Sequence, residues 1–365
     1  MSKTKAHIAI LASRLDLPGG TERMVVEAAN LFTSKGHDVT LLLPEKSGPS
    51  FFRLDKSVRI IIEPLDFGLT ESGNMVTRKT RLALHVIRLR RALRKINQSI
   101  VLSTDYVYTI CAGLAAYKGG PKIFAWEHHH FFWLNKSRFW KWLQRVTYPR
   151  LNGVVCLNHT EAKLYQQTGC KTFVIPNFIR AQEAAALETP TLLTIGWLID
   201  RKGIDLVPKI AKGIFADSTD WKWIVIGSGD REEQLREAVR DLQLEERVSV
   251  LPPLTPDLSE AYLNTSIYVM TSRFECFPMV LLEAMSHGIP SVAFNCPTGP
   301  SEIIADNEDG FLIEKENVGA MIDAIKMLMK DPLKRKKMGA AAFRHAHRFS
   351  PERIYPLWES LFENN

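Results

Sequence analysis

Residues 272–290 read SRFECFPMVLLEAMSHGIP and are flanked by two apolar runs, Ile267–Met270 before and Ser291–Phe294 after. Two short apolar runs joined by a helical stretch form the repeating unit of a parallel α/β sheet. The spacing predicts a helix that opens with Pro278 to Leu282 and stops at Gly288 and Pro290. Glu275 and Glu283 are separated by seven residues, which in a continuous helix is just over two turns and roughly one face. Glu275 precedes Pro278, however, so it is expected on the strand-to-helix turn, with Glu283 inside the helix. A helix start offers free backbone N–H groups to an anion. Two carboxylates beside it suit the paired hydroxyls of a sugar and a ribose, and a nucleotide sugar has all of these groups. Taken alone, the stretch fits a capped core helix with incidental acids equally well.

The same alternation runs through the chain. Strand-like runs fall at His7–Ala12, Val39–Leu43, Val58–Ile62, Ser99–Ser103, Lys122–Ala125, Val154–Leu157 and Phe173–Ile175. After residue 190 they recur at Leu192–Ile195, Trp223–Ile226, Val248–Leu251, Ile267–Met270, Ser291–Phe294 and Gly310–Ile313. With 365 residues, two domains are expected, of α/β class and each built on a parallel sheet. The boundaries expected are 1–180, a polar alanine-rich linker over 181–190, a second domain over 191–345, and a C-terminal segment over 346–365. Within that segment Pro351–Phe362 is amphipathic and suited to cross back onto the first domain. It is expected to follow a last helix over Asn317–Lys330. Two such sheets in tandem place a ligand cleft at their carboxyl ends.

Composition is that of a globular protein, 45% apolar and 24% charged. Five cysteines in an odd count, without metal-ligand spacing, read as reduced thiols of a cytosolic protein. The apolar start is interrupted at Arg14 and reads as a first strand, not a signal peptide, and no stretch reaches the length of a membrane span. The net charge of +7 is unevenly spread: residues 1–180 hold 27 Lys and Arg against 12 Asp and Glu, the rest 20 against 28. A basic first half implies an anionic partner.

Four further motifs sit at strand ends. PGGTER (18–23) puts Gly19 and Gly20 on the first strand-to-helix turn, with Thr21 as the expected N-cap and Gly36 ending the helix. TIGWLIDRKGIDL (194–206) places Arg201 and Lys202 shortly after Gly196, on the loop following the first strand of the second domain. WIVIGSGDREEQL (223–235) has Gly227 and Gly229, but Glu232 stands where a dinucleotide fingerprint needs glycine, which disfavours NAD. AWEHHHFF (125–132) places three histidines after a strand, where neighbours so close in sequence do not suit one zinc ion.

In this order, with IPN (175–177) and CPTGPSEII (296–304), these motifs resemble the retaining glycosyltransferases of family 4. That group has the GT-B architecture of two Rossmann-like domains facing a cleft, and builds bacterial polysaccharides, lipopolysaccharides and lipid-linked oligosaccharides. The resemblance covers nearly the whole chain. It implies a catalytic set of His128, Lys202 and Glu275. It also implies that Glu275 contacts the donor hexose, Glu283 the ribose, and backbone groups at Phe277, Pro278, Met279 and Val280 the diphosphate. Lys202 would neutralise the leaving phosphate, with Arg201 and Gly196 beside it and Gly19 and Gly20 closing on it. The family's histidine corresponds to His128 or to its neighbour His129. One position departs from the family, which usually has arginine directly after the glycine of the loop where this chain has Trp197. Either Arg201 supplies the second charge, or diphosphate binding is weaker, or Trp197 stacks on something the arginine does not reach.

No D-x-D occurs, so no carboxylate-held metal is expected, and no cofactor beyond the sugar nucleotide, taken as UDP-linked. Front-side attack then fits the lack of an obvious nucleophile, with Glu275 as a positioning group. RKTRLALHVIRLRRALRK (78–95) holds eight cations around an apolar stripe of Leu82, Val86, Leu89, Leu93 and Ile96. FFWLNKSRFWKWLQRVTYPR (131–150) interleaves aromatics with five cations. Arg78, Lys79, Arg81, Arg88, Arg91, Trp133, Trp140 and Trp142 are accordingly expected to meet the acceptor or an anionic membrane. The stripe itself is expected to face the core, leaving the cations outward. The reading is a hexosyl or N-acetylhexosaminyl transferase, peripheral on the inner face of the plasma membrane, acting on a lipid-linked or polysaccharide acceptor and not on nucleic acid. A sugar-nucleotide epimerase of similar build, and a membrane-binding protein with a degenerate nucleotide cleft, are the alternatives.

Overall fold

The computed structural model describes residues 5–44, 48–63, 75–96, 99–132, 136–217, 220–253 and 255–364, and the side chains of all but 75–80 and 364 among them. Trp133 and the side chains of Arg78 and Lys79 therefore lie outside the described set. The chain divides into two units, Met1–Pro176 with Tyr355–Asn365, and Asn177–Ile354.

The first unit has strands β1 (His7–Leu11), β2 (Asp38–Pro44), β3 (Arg59–Glu63), β4 (Ile100–Ser103), β5 (Lys122–Glu127), β6 (Gly153–Cys156) and β7 (Thr172–Val174). They form one parallel sheet in the order β3-β2-β1-β4-β5-β6-β7. Its helices are α1 (Gly20–Ser34), α2 (Met75–Ile96), α3 (Tyr106–Ala115), α4 (Arg138–Thr147) and α5 (His159–Gln166). The second unit has β8 (Thr191–Ile195), β9 (Lys222–Ile226), β10 (Val248–Leu251), β11 (Ile267–Met270), β12 (Ser291–Asn295) and β13 (Gly310–Glu314). These are also parallel, in the order β10-β9-β8-β11-β12-β13. Its helices are α6 (Val207–Ile214), α7 (Glu232–Asp241), α8 (Ser259–Leu263), α9 (Met279–Ser286), α10 (Pro300–Ile303), α11 (Val318–Lys330) and α12 (Pro332–Ala346), followed by α13 (Pro351–Asn364).

Near-continuous apolar strands are what a sheet covered on both faces requires. In the second unit Leu192, Val225, Ile267, Val269 and Phe294 are buried against Ile210 of α6, Leu235 of α7 and Met321 and Ile325 of α11. In the first, Leu89 and Leu93 of α2 are buried with Ala9, Val101 and Ile110, so the leucine stripe does face the core.

α13 begins in the second unit and from Tyr355 onward belongs to the first. There Trp358 packs edge-on against Phe32 at 5.4 Å and Trp126 at 5.1 Å, and the Tyr355 hydroxyl lies 2.8 Å from His37 Nε2.

Three local expectations change. Helix α12 lies beyond Asn317–Lys330, which the sequence reads as the last helix before the C-terminal segment. The Asp331 carboxylate accepts from the Lys334 amide at 2.8 Å and Pro332 occupies the first helical position. The stretch 181–190 does not run free as a linker. The Ala185 amide donates to His287 O at 2.8 Å, His287 Nδ1 lies 2.7 Å from Glu183 O, and buried Arg335 donates to Leu187 O at 3.2 Å. Its polar composition concealed backbone groups that the second unit satisfies. Lastly, α1 is capped by Gly19 in an extended conformation and not by Thr21, which lies within the first turn.

Candidate functional site

In a sheet of order β10-β9-β8-β11-β12-β13 the winding reverses between β8 and β11, and the loops leaving those two strands diverge. Open α/β sheets bind ligands in the crevice this creates. The loop after β8 carries Lys202 and the loop after β11 carries Glu275. They meet: Lys202 Nζ lies 2.6 Å from Glu275 Oε1, and the Ser272 hydroxyl donates to the same oxygen at 2.7 Å. Both side chains retain partial exposure, 17% for Lys202 and 9% for Glu275. An ammonium and a carboxylate are thus held at a site open to a ligand.

The surrounding backbone explains why they are fixed. Gly203 has φ +63°, and a Cβ there would sit 2.0 Å from Thr271 O, so only glycine lets the two loops touch. Thr271 Oγ1 donates to Lys202 O at 2.9 Å, and the Arg273 amide donates to Arg201 O at 2.8 Å. The Arg273 guanidinium adds a fork to both oxygens of Asp205 at 2.7 and 2.9 Å. From the loop after β12, the Thr298 hydroxyl donates to Glu275 O at 2.6 Å. Lys202 and Glu275 therefore stand on three interlocked loops.

Helix α9 starts at Met279 with Pro278 as N-cap, and no side chain of the cap residue bonds its first amides. Glu275 lies on the turn and Glu283 in the helix, as the spacing predicts. Glu283 is only 7% exposed and accepts from the Tyr262 hydroxyl at 2.5 Å, while Tyr262 stacks on His287 with ring centroids 5.1 Å apart. Asn177 Nδ2 donates to Phe277 O at 3.3 Å and steadies the turn from outside the strand-loop pattern. The glycine pair after β9 proves to be packing chemistry. A Cβ on Gly227 would lie 1.9 Å from Gly196 O, and the Leu198 amide donates to Ser228 O at 2.9 Å.

In the first unit Gly19 and Gly20 stand at the start of α1, after β1, where the sheet order also reverses. His128 follows β5, is 8% exposed, and its Nε2 is buried without a hydrogen-bond partner among the described residues. Burial pushes its imidazole down to about 3, so it is neutral at physiological pH. His130 is accounted for by the buried carboxylate of Glu161, which also accepts from the Phe131 amide at 2.9 Å. Glu127, buried at the end of β5, accepts from the Tyr148 hydroxyl at 2.5 Å, and burial holds its carboxyl above the usual range.

The basic face divides by helix side. On α4, Phe139 and Val146 are exposed and Trp142 is 59% exposed, with Arg138, Lys141 and Arg145 also outward. Trp140 is corrected: it is 6% exposed and packs edge-on against Tyr106 at 6.0 Å, because its helical position falls with Leu143 and Thr147 on the buried side. On α2, Arg81, Arg88 and Arg91 are exposed beside Leu84 and Ile87. Sequence reasoning missed Ser272, Thr298, Asn177 and Tyr262 as partners of the site. Ser272 and Thr298 had the signal of hydroxyls on strand-end loops, whereas Tyr262 had none.

The sequence family described as Glycosyl transferases group 1 matches residues 177–345, and that described as Glycosyltransferase Family 4 matches residues 18–183. The chain belongs to glycosyltransferase family 4. Among family relatives, an uncharacterized glycosyltransferase of Haemophilus influenzae is 27% identical over 349 residues, covering 94% of this chain and 96% of the relative. A Campylobacter jejuni α-1,4-N-acetyl-D-galactosaminyltransferase, named for an acceptor on PP-undecaprenol, is 22% identical over 94% of each chain. TarM of Staphylococcus aureus, solved as a mutant with fondaparinux, α-GlcNAc-glycerol and UDP, has the same fold with a TM-score of 0.83. It is 16% identical, with 98% of this chain and 100% of that chain covered. This family 4 glycosyltransferase thus has the GT-B fold.

Proposed function

We propose that the chain transfers a hexose or N-acetylhexosamine from a UDP-linked sugar to a lipid-linked or polysaccharide acceptor, with retention and without a metal ion. The observation that carries this reading is the Lys202–Glu275 pair held at the switch point of the second sheet, beside the uncapped start of α9. The helix end and Lys202 supply fixed positive potential for a diphosphate that gains charge as it departs. Glu275 and Glu283 supply acceptors for the hexose and ribose hydroxyls, and Arg201 and Gly196 flank the phosphate. The backbone from Phe277 to Val280 lines the turn. On the first unit, the backbone at Gly19 and Gly20 opens α1, with the Glu22 carboxylate folded against Gly19, and neutral His128 holds a buried imidazole nitrogen without a hydrogen-bond partner among the described residues.

Glu275 is already bonded to Lys202 and Ser272, which suits positioning and not covalent attack. The departing phosphate then takes the acceptor's proton as the new glycosidic bond forms on the same face. Support for UDP and for a diphosphate-lipid acceptor comes from the names of the TarM complex and the Campylobacter relative. Support for a peripheral place on an anionic membrane comes from the outward aromatics and cations of α4 and the arginines of α2.

The test is UDP release by purified protein across a panel of UDP-hexoses and UDP-N-acetylhexosamines, with EDTA present and with or without a bacterial lipid extract. We expect release with one donor, stimulated by the extract and undiminished by EDTA. Loss of turnover in EDTA would remove metal independence, and no release with any donor would remove the activity.

A further inference from the structure

Seven of the eight tryptophans lie in the described residues, and six have an evident partner. Trp126 and Trp358 pack on each other, Trp140 on Tyr106, and Trp142 on Phe139. Trp221 lies under Arg335, and Trp223 donates to Thr194 Oγ1. Trp197 has neither ring, cation nor hydrogen-bond partner for its side chain among the described residues, yet it is half-buried. Its backbone is fixed on both sides. Gly196 N donates to Ile226 O at 3.0 Å, Leu198 N to Ser228 O at 2.9 Å, and Trp197 O accepts from Ile199 N at 3.0 Å. An indole is thus carried on a loop whose backbone is held on both sides, with no polar or aromatic partner for its ring among the described residues.

The loop that carries it is the one that carries Lys202, whose Cε lies 3.9 Å from the Cβ position of Gly196. Lys202 in turn holds Glu275. An aromatic face, a carboxylate and an ammonium on neighbouring loops make a combination suited to a pyranose. The apolar C–H face of the ring covers the indole, and its hydroxyls take the charged groups. We propose that Trp197 is a sugar-stacking residue that sets pyranose affinity. This rests on the transferase reading above. The pyranose comes either from the donor or from the acceptor terminus, and kinetics distinguish the two.

Wild type, Trp197→Phe and Trp197→Ala are compared for KM of UDP-sugar, KM of acceptor, kcat, and inhibition by UDP. Trp197→Ala is expected to raise one sugar KM by about tenfold while the UDP inhibition constant changes less than about twofold. Trp197→Phe, which keeps a ring, is expected to stay within about threefold of wild type. A rise confined to the donor KM assigns the transferred sugar, and one confined to the acceptor KM the receiving sugar; either supports the proposal. Equal weakening of UDP would overturn it in favour of a nucleotide contact, as would constants unchanged in both variants. Should Trp197→Ala not fold, Trp197→Leu, which keeps apolar bulk without an aromatic ring, takes its place with the same criteria. A wild-type chain that neither binds UDP nor releases it overturns the transferase reading and this proposal together. An active wild type with indifferent variants overturns this proposal alone.

Discussion

Replacing Lys202 with alanine is expected to lower kcat by about 10²- to 10³-fold, the size of effect seen when one preorganised charge on a developing anion is removed. The ammonium is 2.6 Å from Glu275 and on the loop that shapes the switch-point crevice, so under the proposed function its loss removes positive potential from the leaving diphosphate. A second effect runs alongside it. Breaking a largely buried pair strands the partner, here Glu275, at a stability cost of up to about 3–5 kcal/mol. The double variant Lys202→Ala with Glu275→Gln separates the two, since it removes the stranded charge. Thermal melting should recover in the double variant while kcat stays low. Recovery of kcat together with stability would mean that Lys202 only balances Glu275.

The second large effect is on stability. Trp358 is 1% exposed and sits edge-on between Phe32 and Trp126, with Phe362 at 5.9 Å. Cutting it to alanine removes a large buried aromatic and is expected to cost about 3–5 kcal/mol, much of the ~5–15 kcal/mol typical of a domain. Because α13 anchors on the first unit from Tyr355 onward, the loss falls there. Calorimetry should show the melting of residues 1–176 moved down while that of 177–354 is retained. Trp358→Phe should recover most of the difference. A profile that shifts as one transition, or not at all, would mean that α13 does not anchor there.

Most of the architecture is written in the apolar runs. Both sheets follow from alternation with helical stretches, because strands buried on two faces must be apolar throughout. The runs before Gly196 and Glu275 mark the strands that flank the switch point. Individual helix boundaries were less legible where one residue type serves opposite ends. Asp331–Pro332 starts α12 as readily as it ends α11, and glycine at 19 caps a helix that threonine at 21 suggested. Trp140 and Trp142 differ by two positions, and only the rotation of α4 decides which of them is buried. The loop positions of Lys202 and Glu275 were legible because they follow the strand ends of β8 and β11. The Arg273–Asp205 fork that holds those loops was not, since it joins residues 68 apart in sequence.

The central claim is that the loops at 196–203 and 271–278 and the start of α9 hold a nucleotide sugar. Backbone hydrogen exchange with and without UDP tests it most directly. The claim predicts slowed exchange at the amides of Gly196–Gly203 and Phe277–Leu281, and further slowing around Glu275 when UDP-sugar replaces UDP. Protection confined to other segments, or none at saturating UDP, would contradict it.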